Sequence, residues 1–270
     1  MRVWLPAGIL CGWALLALGA YLLPLTPNLI HLEQILTPPG QDAWLGYDDL
    51  GRDIAQRLLV GARTSFLVAV WVVGLSCLLG TLIGTLGAYR GGLWDKVLVQ
   101  FVDIFLAFPG ILLAIALAGL LGPGIGNVVI ALAAVGWVGY ARLSRAQVLS
   151  LKHREHVLAA RALGSGGLHI MTRHLLPLMA APLIIEATFG IAAVVIAEAG
   201  LSFLGLGVQP PDASWGAMIR DGTRYMLVAP HLVLAPGAAI FAVVLSVNLL
   251  GDRLRDILDV RTPTDKDRIP

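Results

Sequence analysis

Three carboxylates sit inside otherwise apolar runs of the chain: Asp103, Glu186 and Glu198. A charge at the centre of a bilayer costs about 3 kcal/mol on insertion scales, so each has to face water or the interior of a helix bundle. Two roles fit such residues. One is a polar path or gate for a solute, and the other is an interhelical hydrogen bond that fixes packing. Glu186 lies nine residues beyond Pro177, about 13 Å along a helix at 1.5 Å per residue. It is the deepest of the three and is assigned to the path. Asp103 falls near one interface and Glu198 near the opposite mouth, and both roles stay open for them. Glu186 and Glu198 are twelve residues apart, about 18 Å in height. They therefore do not form the catalytic pair of an intramembrane hydrolase, whose groups must reach one substrate together.

Four of the six histidines, His153, His156, His169 and His174, fall in one segment. His153 and His156, at i and i+3, are neighbours on a helix surface and could share a metal. No His-Glu-x-x-His pattern accompanies them, and Lys152, Arg154, Arg161 and Arg173 surround them, so a basic docking surface is the better reading. Cys11 and Cys77 both lie in apolar stretches, which gives neither a disulfide framework nor zinc spacing. The chain has no Gly-x-x-x-x-Gly-Lys-Ser/Thr; its one glycine cluster, at 164–167, runs into Leu168. Without a P-loop, any ATP-driven work must reach it by contact.

The elements that carry these residues are membrane spans. Hydrophobic residues make up 57% of the 270 and charged residues 13%, where about 25% charge is usual. The mean hydropathy is +0.82. Such a chain cannot cover a water-facing globule. A net charge of +2, with no basic stripe, gives no footprint for nucleic acid. With roughly 20 apolar residues needed per crossing, six spans are expected. They are the core of 3–30 up to Pro24, then 64–89, 97–121, 128–149, 177–200 and 232–251, with a turn cluster at 122–127. The first span is too long in its apolar part, and too poor in basic residues, for a cleaved signal peptide.

Lysine and arginine give the orientation. If the amino terminus is cytoplasmic, fourteen of the nineteen lie inside (Arg2 to Arg268 by way of Arg90, Arg142, Arg145 and Lys152), and five lie outside: Arg52, Arg57, Arg63, Arg220 and Arg224. Trp4, Tyr89, Trp94 and Tyr140 then fall at the inner interface, and Tyr21 and Tyr225 at the outer one. Both termini are expected in the cytoplasm. On span two, Ser76, Gly80, Gly84 and Ala88 recur every fourth residue, a spacing that lets helices approach closely, either within this chain or against a second one.

The domain plan follows: a first span (1–30), an outer segment (31–63), a core (64–260) and a tail (261–270). Within the outer segment, 45–63 is expected to contain a helix lying along the membrane face. The outer stretch 201–225 should be a compact loop packed by Phe203, Leu204, Leu206 and Trp215, since its Gly-x-Gly and Pro-Pro exclude a continuous helix. At 25 residues it is long for a connector. Inside, 151–164 and 168–176 read as two short helices joined by the glycine cluster and ended by Pro177. They form a knob suited either to docking or to lipid headgroups.

That knob carries a pattern. Leu158-Ala159-Ala160, then Gly164, then Leu176-Pro177 resembles the "EAA–three–G–nine–I–x–L–P" signature of ABC importer permeases, with Leu158 where the family has Glu and His174 where it has Ile. LGYDDLGRDIAQRLLVGARTS (45–65), DIFLAFPG (103–110), AEAGLSFLGLGVQPPDASWGAMI (197–219) and LGDRLRDILDVR (250–261) are similar, in the same order, to the peptide branch of that family. The resemblance implies an all-α, six-span, type I permease subunit of a dipeptide, oligopeptide or nickel importer in the bacterial inner membrane, with dipeptides or short oligopeptides favoured. It implies a homologous second permease, two ATPases that carry the ATP and Mg²⁺, and an extracytoplasmic substrate-binding protein. No cofactor is implied in this chain. Leu158, Ala159, Ala160, Gly164, His174, Leu176 and Pro177 would then shape the element that enters a groove on an ATPase. Glu155, three positions ahead of Leu158, would supply the missing carboxylate. Phe203, Gly205, Gly207, Pro210, Pro211 and Trp215 would meet the binding protein. Six spans, no evident internal repeat and a docking knob argue against a secondary transporter.

Overall fold

The computed structural model describes residues 4–20, 22–41 and 43–258. Arg2, Tyr21 and the tail residues Arg261, Lys266 and Arg268, used above for orientation, lie outside the described residues. Among the described residues the long regular elements are all helices: α1 (Trp4–Gly19), α2 (Ile54–Arg90), α3 (Gly92–Leu106), α4 (Gly110–Leu121), α5 (Ile125–Leu151), α6 (Glu155–Ala162), α7 (Gly167–Ile170), α8 (Leu176–Phe203), α9 (Trp215–Thr223) and α10 (His231–Leu258). A π-type turn, Met171–Leu175, joins α7 to α8.

Four continuous helical stretches are long and apolar enough to cross a bilayer: α2, α5, α7 through α8, and α10. A fifth crossing needs α3 and α4 taken together, and these are bent by 85°. The expected uninterrupted span 97–121 is therefore broken. Pro109 is the reason: it cannot donate a backbone hydrogen bond, and it pushes Phe108 out of the α region. The expected first span is a 16-residue helix, about 24 Å long and short of the hydrocarbon thickness.

The outer segment also differs from expectation. No separate helix lies over 45–63. Residues 45–53 form turns closed by an isolated bridge between Tyr47 and Asp53, and α2 then runs unbroken for 37 residues. Asp53 caps it, accepting from the Ala55 and Gln56 amides at 2.7 and 3.2 Å, as an N-cap Asp does. Nothing between Ile54 and Arg90 stops a helix once it is started.

The α2–α5 pair is the centre of the bundle. The Ser76-Gly80-Gly84-Ala88 stripe faces α5. A Cβ on Gly80 would strike the Trp137 carbonyl and the Tyr140 Cβ, and one on Gly84 would strike the Ala141 carbonyl. The close approach is thus within this chain. Trp13 ties α1 to α2 by donating its indole N–H to the Ala62 carbonyl at 3.0 Å. The 122–127 cluster forms the expected turn, where the Asn127 amide satisfies the Leu121 and Gly122 carbonyls at 3.0 Å each.

Pro177 does not end a helix. It sits in the first turn of α8, and the π-type turn ahead of it, closed by the Leu176 amide on the Met171 carbonyl, carries the helix past the proline. The structure replaces the two short helices of the knob with α6 and one long rod from Gly167 to Phe203.

Candidate functional site

Three regions gather the residues singled out by sequence. The first is a pair of cavities on one side of the bundle. The cavity nearer the α5–α6 end, about 740 Å³, is lined by Asp103 on α3, Gly139, Arg142 and Arg145 on α5, and Glu186 on α8. The neighbouring one, about 650 Å³, is apolar apart from Ser76, Tyr140 and the same Glu186. Glu186 therefore stands at the junction, its Oε1 lying over Gly139. Asp103 and Glu186 come together here, and Glu198 does not join them. Arg142 and Tyr140, placed earlier only as interface residues, belong to this region. No motif marked them; only the fold brings α3, α5 and α8 to one wall. Arg145 is already engaged, donating to Asp95 at 2.7 and 2.8 Å in a two-pronged pair.

The second region is the outer end. Glu198 is 1% exposed. It accepts from Ser65 on α2 at 2.9 Å and from Ser202 on its own helix at 2.8 Å. Of the two roles left open for it, the interhelical bond is the one present in the geometry. Beside it, Arg57, 3% exposed, donates to Asn28 Oδ1 at 3.0 Å and to the Pro211 carbonyl at 3.3 Å, and pairs with Asp48 at 3.5 Å. Asp48 is held more closely by Arg52, at 2.7 Å. Burial, reinforced by the neighbouring Asp48, pushes the Asp49 carboxyl above its ordinary value, with Arg52 opposing. This ion cluster ties 26–57 to the outer loop and was missed because its partners are up to 154 residues apart in the chain.

The outer loop is partly as expected. Phe203, Pro210 and Pro211 are exposed, and Gly205 is half-buried. Gly207 is buried against Ser202. Trp215 is the clear correction among the expected docking residues: it is 2% exposed, donates to the Leu58 carbonyl at 3.0 Å and tilts against Trp13. It is a core residue that cannot meet a docked protein. Phe203 and Leu204, expected to pack the loop, point outward, and Leu201, Val208 and Ala213 fill that interior instead. The stretch from Trp215 is a helix, α9, capped by Ser214 accepting from the Ala217 amide at 3.2 Å.

The third region is the knob. Glu155, Leu158, Ala159 and Pro177 are exposed, Ala160 is buried, and His174 and Leu176 are half-buried. Gly164 has φ +85°. Its amide bonds the Arg161 carbonyl, and the Ser165 amide bonds the Ala160 carbonyl, both at 3.0 Å. These paired bonds close α6 in the left-handed turn that glycine adopts without strain. The glycine of the motif is thus a helix stop, which turns the chain from α6 into the rod. His156 and His169 lie near His174, with ring centroids 6.2 and 5.9 Å away, while His153 is not part of this group. Among the described residues no set of three or more His, Cys, Asp and Glu is arranged to hold a metal.

A bundle of long apolar helices with an open, charge-lined cavity has the form of a membrane permease subunit. Residues 76–263 match the family described as binding-protein-dependent transport system inner membrane component, and the chain belongs to that family. It is 43% identical over 232 residues to the glutathione transport system permease protein GsiD of Escherichia coli O157:H7, covering 86% of this chain and 77% of that protein. The Shigella sonnei GsiD matches to the same extent. Its fold is similar to that of solved inward-facing MetNI methionine ABC transporter structures. One has TM-score 0.58 at 17% identity, covering 76% of this chain and 95% of that one. A second has TM-score 0.59 at 20% identity, covering 75% and 96%. The chain is therefore a multi-pass inner-membrane permease subunit of a binding-protein-dependent ABC importer, with the type I permease fold, and works with ATPase, substrate-binding and, in general, second permease partners.

Proposed function

We propose that this subunit imports dipeptides or short oligopeptides by alternating access, driven by two ATPases that bind ATP and Mg²⁺ and dock on the α6–α7 knob. The observation that carries the reading is the surface of that knob. Leu158 is 45% exposed and Leu163 88% exposed, among Arg154, Glu155 and Arg161. Large apolar groups held outside the membrane on a stopped helix fit a groove on a partner, not a free surface. Glu155 opens α6, where a carboxylate is favoured by the helix dipole, and lies one turn from Leu158 on the same side. It takes the role of the family glutamate in contacts to the ATPase.

A homologous second permease would cover the cavities and complete the path past Asp103 and Glu186. The binding protein would deliver solute at Phe203, Pro210 and Pro211. The excess of Lys and Arg around α5, α6 and the π-type turn supports a cytoplasmic knob, and with it cytoplasmic termini. Peptides are favoured over nickel because the two cavities offer carboxylates, guanidinium groups and apolar walls, whereas imidazole and thiolate are the ligands that suit a nickel path. Glutathione, the solute in the names of the relatives, is one candidate peptide.

Co-purification tests the reading. Leu163→Asp is expected to release the ATPases from the detergent-solubilised complex and to abolish ATP-driven uptake of Ala-Ala in proteoliposomes, while the second permease stays bound. ATPases retained at wild-type stoichiometry, with uptake intact, would overturn the docking assignment.

A further inference from the structure

Asp103, Arg142 and Glu186 are exposed to one cavity from three different helices, and among the described residues none of their side chains makes a hydrogen bond or ion pair. That is unusual for this chain. Other charges of the fold are matched: Arg145 with Asp95, Arg52 with Asp48 in the outer turns, Glu198 with two serines. An unmatched charge at the depth of Glu186 is costly, and with Asp103 and Arg142 in the same cavity the three await something of opposite charge. We propose that these three side chains form a way-station that holds a peptide by both of its ends, Asp103 and Glu186 taking the terminal ammonium and Arg142 the terminal carboxylate. This rests on the peptide-import reading and deepens it, since it makes free termini the feature that the membrane subunit itself recognises.

The geometry suits such a ligand. A two-residue peptide spans about 7 Å when extended, and a cavity of about 740 Å³ is within the usual range of small-molecule sites. Glu186 Oε1 lies over Gly139, one helical turn before Arg142, and both side chains line the same cavity. A guanidinium offers a fork of N–H donors that matches a carboxylate. Glu186 also lines the adjoining, largely apolar cavity, which extends the site outward. The charge balance is also informative. With Arg145 neutralised by Asp95, the three groups carry a net charge of −1. The site therefore prefers peptides of zero or positive charge over glutathione, whose two carboxylates against one ammonium leave it at −1.

The test uses the purified complex of this chain with its second permease and ATPases, without binding protein, so that the binding protein's own selectivity does not enter. Equilibrium binding of labelled Ala-Ala is measured in competition with Ala-Ala amide, N-acetyl-Ala-Ala, Lys-Ala and glutathione. Wild-type complex is expected to bind Ala-Ala and Lys-Ala at least about tenfold more tightly than either blocked peptide, the loss that follows from removing one charge-assisted contact, and to bind glutathione more weakly than Ala-Ala. Arg142→Gln should erase the discrimination against the amide and keep that against the acetyl peptide. Glu186→Gln and Asp103→Asn should do the reverse.

The inference is overturned if wild-type complex shows no saturable Ala-Ala binding at millimolar concentration, or binds blocked and free peptides equally. It is likewise overturned if each variant weakens every ligand by the same factor. Loss of the second permease from the Arg142→Gln complex would overturn it too, by making that residue a subunit contact. Uptake by the whole importer separates the two levels: wild-type proteoliposomes that import no Ala-Ala remove the peptide reading itself. Import that proceeds with unselective binding removes only the way-station.

Discussion

Replacing Glu198 by alanine should destabilise the outer end of the bundle by an amount that can be worked out from its partners. The carboxyl group accepts from Ser65 at 2.9 Å through one oxygen and from Ser202 at 2.8 Å through the other, and both serines are fully buried. Alanine removes two hydrogen bonds, strands two hydroxyls and leaves a small void. With about 1–2 kcal/mol for each bond and about 1 kcal/mol for the void, the loss is about 3–5 kcal/mol. At about 2–4 °C per kcal/mol for a chain of this size, the unfolding midpoint of the purified complex, followed by intrinsic fluorescence, should fall by on the order of 10 °C. Glu198→Gln should cost much less. Its carbonyl accepts from one serine, and its NH₂ donates to the other, whose hydroxyl oxygen turns to accept. Ser65→Ala placed on top of Glu198→Ala should recover stability, because it removes a stranded hydroxyl; the double-mutant cycle reads that coupling directly. A midpoint unchanged by Glu198→Ala, or Glu198→Gln as damaging as Glu198→Ala, would refute the hydrogen-bonding account and return Glu198 to a charge-dependent role in the path.

Gly84→Ala should cost about 1–3 kcal/mol of stability, since the new Cβ meets the Ala141 backbone, which cannot rotate away. Gly74→Ala, with nothing within 4 Å of its Cβ, should be neutral or gain up to about 1 kcal/mol from helix propensity; thermal midpoints of the two variants should move in opposite directions, or Gly74→Ala not at all. Arg57→Ala should cost about 3–5 kcal/mol by leaving Asp48 buried with one partner fewer and by freeing the Pro211 carbonyl. Arg57→Lys should restore little, because an ammonium lacks the fork that reaches Asn28, Pro211 and Asp48 together; binding-protein-stimulated ATPase activity, measured beside the midpoint, should fall in both.

The membrane class, most span positions and the helix stop at Gly164 were legible because they rest on local pattern. An apolar run of about 20 residues, a glycine that stops a helix and an Asp that caps one act within a few residues of themselves. The small-residue stripe was legible as packing, but its partner was not, because Ala141 and Trp137 become neighbours of Gly84 and Gly80 only when α5 folds back. The break at Pro109 could have been read from the proline alone; the apolar run on either side hid it. Trp215 was misplaced for a related reason. An aromatic in a Gly- and Pro-rich stretch looks the same whether it faces a partner or fills the gap that Gly61 leaves on α2, where a Cβ would strike its ring. Arg142 and Tyr140 gave no signal beyond their type, since their meaning depends on which carboxylate stands across the cavity.

The two ends of the bundle differ in how their charges are treated, and that difference suits a lever. At the outer end Glu198, Arg57 and Asp48 are matched and buried, so α2, α8 and the loop beyond Phe203 move as one piece. Around the inner cavity Asp103, Arg142 and Glu186 are unmatched, and the Arg145–Asp95 pair is the ionic tie between α5 and α3 there. One helical rod connects both ends with the knob. It runs for 37 residues from Gly167 to Phe203, about 55 Å, beginning at the turn that Gly164 creates, passing Glu186 in the cavity and ending at the Glu198 cluster. A push on α6 and α7 is delivered to the base of that rod. The π-type turn at Met171–Leu175 and the proline at 182 are the places where it can bend, because each interrupts the regular hydrogen-bond ladder. In the proposed cycle, motion of the knob would shift Glu186 relative to Asp103 while the outer cluster holds its shape, a rigid-body transition that would change the cavity before the outer loop.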